Sequence, residues 1–239
     1  MTLRLAPWIA SLIFSLSSIA CGSDEPEGHN AQAGAGGQAG AGGGGASAKT
    51  TFFVTSDTSM TADLGGLIGA DARCQGLAVA ADLGSHTFHA YLSAEQDPAD
   101  SSQAVNARER IGEGPWYNAK GVLLAEDLSA LHALSGDAEL FLDENGAKIN
   151  GQWQGSPTPN EHDILTGSTA DGTLIVGKTC ADWTSAGDGT AQVGHSDGLG
   201  PGMNAEPPYN SWSSVHENAS CGDTAPRGGA GRLYCFAID

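Results

Sequence analysis

The chain predicts an α+β domain closed by disulfides, and three observations carry that expectation. Residues 64–84 hold one clear helical periodicity, short apolar runs near both ends of the folded part read as strands, and the cysteines fit an oxidising compartment.

Residues 1–20 belong to targeting, not to the fold. Arg4 supplies a positive start, Leu5 to Ile19 an apolar run, and Ser18-Ile19-Ala20-Cys21-Gly22 a set of small residues around a cysteine. The segment resembles the lipobox of bacterial lipoproteins, which implies cleavage after Ala20 and a diacylglyceryl chain on Cys21. Plain secretion with cleavage near Ala20 and a short apolar anchor left uncleaved are the other readings. Residues 21–49 then read as the lipidated cysteine and a tether, because residues 31–48 are almost wholly glycine and alanine and offer too little apolar surface to offset ordering. A single domain is expected over residues 50–239.

That domain opens on Thr50-Thr51-Phe52-Phe53-Val54-Thr55, a strand candidate. In the helix Leu64 to Gly84, Leu67, Ala70, Cys74, Leu77 and Ala81 share one face, and Gly84 is expected to end it. Phe88 to Ser93 alternates like a second strand. Ser101 to Arg110 and Leu124 to Leu134 are weaker helix candidates. Leu140-Phe141-Leu142 and Ala147-Lys148-Ile149 flank a turn at Gly146. Residues 185–231 are rich in Gly, Ser, Asn, Asp and Pro and read as a long loop region. The chain closes on a strand at 232–238 that contains Cys235.

With Cys21 assigned to the lipid, Cys74, Cys180, Cys221 and Cys235 remain for two disulfides. No C-x-x-C pair suggests a thiolate zinc site. Among three connectivities, Cys74–Cys235 with Cys180–Cys221 is preferred, since the first joins helix to last strand and the second pins the polar loop. The formal charge of −18 excludes the basic footprint of a nucleic-acid binder and disfavours heparin-like polyanions. Downstream of the signal no apolar run approaches the ~20 residues of a membrane span. Membrane attachment is therefore expected through the lipid alone, at the outer membrane or cell surface.

Several stretches carry a family resemblance. Phe53-Val54-Thr55-Ser56, Leu64-Gly65-Gly66-Leu67, Gly69 to Gln75, Ala90-Tyr91-Leu92-Ser93, Gly114-Pro115-Trp116-Tyr117, Cys180 to Ser185, Gln192-Val193-Gly194, Ser211-Trp212, Cys221 and Arg232 to Phe236 resemble bacterial endostatin-like surface lipoproteins of unknown function. That family is similar to the collagen endostatin domain and to the C-type lectin fold. The resemblance implies two helices, small antiparallel sheets, a long loop region and the same nested disulfides. It also implies noncovalent recognition of an extracellular protein or glycan. Animal endostatin's histidine zinc site has no counterpart in Lys49 to Thr55, which lacks histidine.

Enzyme chemistry finds little support in the sequence, and a hydrolase is only the third reading. His86-x-x-His89 lacks the glutamate of a zinc protease, His132, His162, His195 and His216 are scattered, and no G-x-S-x-G is present. A calcium-dependent lectin is the alternative. Asp188, Asp197 and Glu217 are its candidate oxygen ligands, but Glu206-Pro207-Pro208 places proline where a ligand amide is needed. No other cofactor is expected. Ser185 to Ser220 is the expected binding face, with Tyr209, Asn210 and Trp212 as contacts, although tryptophans such as Trp183 and Trp212 suit a core as well.

Overall fold

The computed structural model describes residues 49–239. The signal segment, Cys21 and all of the tether except Lys49 lie outside the described residues. Among the described residues no helix is long and apolar enough to cross a membrane.

The elements run β1 (Phe52–Val54), α1 (Gly66–Ala80), β2 (Phe88–Ala90), β3 (Trp116–Tyr117), β4 (Leu123–Ala125), α2 (Leu128–His132), β5 (Asp163–Leu165), β6 (Gln192–His195), β7 (His216–Glu217), β8 (Gly229–Arg232) and β9 (Tyr234–Ala237). They form three small sheets, ordered β1-β9-β2, β3-β4 and β7-β6-β5-β8. Within these sheets every strand pair is antiparallel except β5 with β8, which is parallel, so the expectation of purely antiparallel sheets is corrected.

The first sheet is buried on both faces. Alternate residues of β1 and β9 point to opposite sides, as the pleat requires. Phe53, Cys235 and Ala237 join a cluster built on Leu67, Ala70, Cys74 and Ala78 of α1. Phe52, Val54, Tyr234 and Phe236 join a second cluster with Tyr91, Trp116, Phe141 and Trp212. Residues 52–54 therefore read as an unbroken apolar run rather than an alternation.

The four cysteines pair as preferred, Cys74 with Cys235 and Cys180 with Cys221. The fold is thus α+β with few helices, small sheets and two disulfides, and the bonds point to an oxidising environment. Cys180 and Cys221 are buried in the same cluster as α1, alongside Trp183. Cys180 to Trp183 form a left-handed turn, with φ of 51°, 52°, 53° and 66°. The Thr179 hydroxyl accepts from the Asp182 amide there, and the Trp183 indole donates to the Ser93 carbonyl at 2.8 Å.

Four local expectations change. α1 stops at Ala80, and Asp82 rather than Gly84 takes a positive φ, 62°. Within 101–110 only Ala107–Glu109 is helical, a single 3-10 turn. Just before it, Asp97 and Asp100 accept from the Ala99 and Ser102 amides and hold a turn where a helix would need those groups. Within 124–134 the first residues belong to β4, and α2 starts only after Asp127, whose carboxylate accepts from the Ala130 amide. The 185–220 loop is corrected most, because it contains β6 and β7.

Candidate functional site

The register of the four-stranded sheet gathers a histidine cluster. Asp163, the first residue of β5, is the direct partner of His195, the last of β6. His216 on β7 faces Val193, two residues before His195. Directly opposed and diagonal positions share one face of a pleated sheet, so all three side chains meet there. His162 precedes β5, and its ring stacks on that of His195 with centroids 4.1 Å apart and planes at 17°.

The Asp163 carboxylate lies at the centre. Its Oδ1 is 3.3 Å from Nε2 of both His162 and His195, and its Oδ2 is 3.7 Å from Nε2 of His216. The Nε2 atoms of His195 and His216 are 3.1 Å apart. Neither Asp163 oxygen has a hydrogen-bond partner, nor does Nδ1 of His195, and all three are buried. Such orphaned polar groups are costly and call for an explanation. Burial raises the Asp163 carboxyl to about 6, against the opposing pull of His162 and His216. Burial also lowers His195 to about 3, helped by the charges of His162 and His216.

An outer layer orients the rings. Nδ1 of His162 lies 2.7 Å from Asp197 Oδ1, and Nδ1 of His216 lies 2.9 Å from the Glu217 carbonyl. Asp197 also accepts from the Gln152 and Leu199 amides. Its burial favours the neutral acid, but the His162 hydrogen bond and charge prevail and hold the carboxyl below its usual range.

A pocket of about 280 Å³ opens onto this cluster, with His162, His195 and His216 in its wall and Gln152, Tyr209 and Arg227 around it. Tyr209 is half-buried and nearly parallel to the His195 ring, at 6.2 Å and 14°. A side chain on Gly200 would overlap the Tyr209 ring, so that glycine lets the ring settle.

The residues expected from sequence divide accordingly. Tyr209 borders the pocket. Asn210 does not line it, and its carbonyl accepts from the Gly136 amide. Trp212 as a ligand contact is corrected: only 1% exposed, it packs on Tyr91, Phe141 and Tyr234 and donates its indole N–H to Leu131. Trp183, 0% exposed, is likewise core. Of the calcium candidates, Asp188 is exposed, Glu217 pairs with Lys178 and Thr190, and Asp197 is committed to His162. Among the described residues these three do not form a donor group, whereas His162, Asp163 and His195 do.

Of the remaining histidines among the described residues, His86 pairs with the exposed Asp239, His89 contacts the Arg110 carbonyl, and His132 contacts Tyr91. The sequence does not reveal the cluster, because its members are far apart in the chain and no motif spacing links them. The available signal was two aspartates close to histidines, His162-Asp163 and His195-Ser196-Asp197.

No family model matches the chain, and no match is found among curated proteins either.

Proposed function

We propose that the protein is a surface lipoprotein whose domain, of the endostatin-like and C-type-lectin-like kind, recognises an extracellular protein or glycan without transforming it. The pocket beside Tyr209 is its recognition site. The observation that carries this reading is the pocket itself, with an aromatic face, an amide and a guanidinium around a rigid sheet-borne wall. Those groups suit stacking and hydrogen bonding to a sugar ring or a peptide side chain. A volume of about 280 Å³ lies at the lower end for ligand sites, which fits one sugar or side chain of a larger partner. The disulfides and the lipobox-like start support display outside the cell.

The test is capture of glycans and matrix proteins on arrays by the purified protein, followed by Tyr209→Ala and Arg227→Ala. Binding that falls at least tenfold with an unchanged melting temperature supports the pocket. Binding that survives both substitutions, but is abolished by changes within 101–117, places recognition elsewhere.

A further inference from the structure

We infer that His162, Asp163, His195 and His216 together hold one divalent transition-metal ion, zinc by preference. The inference stands apart from the proposed recognition role, because it rests on the donors and not on what enters the pocket.

The spacing fits first. Zinc takes nitrogen and oxygen donors at about 2.0–2.2 Å in a tetrahedron, which puts neighbouring donors about 3.4 Å apart. Nε2 of His162 and of His195 lies 3.3 Å from Asp163 Oδ1, Nε2 of His216 lies 3.7 Å from Asp163 Oδ2, and the His195 and His216 nitrogens are 3.1 Å apart. An ion between them would also answer the orphaned carboxylate. Asp163 is 1% exposed and neither of its oxygens has a hydrogen-bond partner. A hydrogen-bonded cluster without metal leaves both oxygens unsatisfied, whereas coordination uses a lone pair directly.

The outer layer supplies the tautomers a metal needs. Nδ1–H of His162 donates to Asp197 and Nδ1–H of His216 to the Glu217 carbonyl, so each Nε2 lone pair faces inward. The donor chemistry selects the ion. Three imidazoles and one carboxylate suit zinc, whereas calcium needs six to eight oxygens. His162, Asp163 and His195 form the compact donor group, and His216, 3.1 Å from His195, would complete a closed, structural kind of site that ties β5, β6 and β7 together. His216 is its most accessible member, with 32% of its side chain exposed.

The experiment uses the full chain, freed of metal by chelation and titrated with zinc alone by calorimetry and native mass spectrometry. One equivalent should bind and raise the melting temperature, and calcium at the same concentration should do neither. Cobalt(II) should give the intense visible bands of tetrahedral coordination. His195→Ala should abolish the bound equivalent. His216→Gln, nearer the surface and less prone to misfold, should weaken it at least tenfold. Asp197→Asn, which touches no metal, should weaken it by about 10–100-fold. The assignment is overturned if the intact protein takes up no more zinc than His216→Gln, or if bound cobalt shows only the weak bands of six-coordination.

Discussion

Replacing Cys180 and Cys221 together by alanine removes the inner disulfide, and its effect can be worked from the ring it closes. The bond spans a sequence separation of 41 residues. In the chain-entropy model a ring of that size restricts the unfolded chain by about 13 cal/mol/K, or about 4 kcal/mol at 25 °C. Both cysteines are buried in the cluster that holds Trp183 and Leu67, so loss of the sulfurs leaves space that adds on the order of 1 kcal/mol. A total of about 5 kcal/mol rivals the whole stability of many domains. The loss is not confined to the polar loop, since the bond sits in the α1 cluster. Urea unfolding followed by tryptophan fluorescence measures it. Removing the outer bond, separation 161, should cost about 1 kcal/mol more. A loss under about 1 kcal/mol for the inner pair would refute the reasoning.

Gly194→Ala should destabilise by at least about 2 kcal/mol, because a Cβ on β6 would run into the Trp212 carbonyl; an unchanged thermal melt argues against that packing. Trp212→Ala should cost about 3–5 kcal/mol in chemical denaturation, as an aromatic core residue does, and a loss under 1 kcal/mol would return it to the surface. Ala181→Gly should raise stability by about 1 kcal/mol, since glycine tolerates φ of 52° that alanine resists. A lower melting temperature in that variant would mean the left-handed turn is not under strain.

Where elements buried a continuous apolar stretch or a single helical stripe, they could be read from the chain. β1, α1 and β9 are of that kind, and the disulfide pairing followed from what they carry. The four-stranded sheet could not be read this way. Its β7 is His-Glu and its β8 is Gly-Ala-Gly-Arg, with neither alternation nor β-branched residues, so only distant pairing makes them strands. The site inherits that difficulty. Tyr209 was legible as an aromatic in a polar loop, but the convergence of His162, His195 and His216 depends on strand register. In the sequence Asp197 reads as an oxygen ligand for calcium, and its role as the partner of a histidine ring shows only once β5 and β6 lie side by side.

The nested bonds also decide how the domain would behave under tension. A protein pulled at residue 49 while its ligand grips Tyr209 bears force along the shortest covalent route between those points. That route runs from residue 49 to Cys74, crosses to Cys235, and returns through Cys221 to the pocket. Residues 75–208, including β5 and β6, are shunted out of it and stay slack. Extension under load can draw on only β1, the part of α1 up to Cys74, and β7, β8 and β9. In a single-molecule pulling experiment, reductant should therefore lengthen the released contour, while oxidised protein should give way by a short step and then hold.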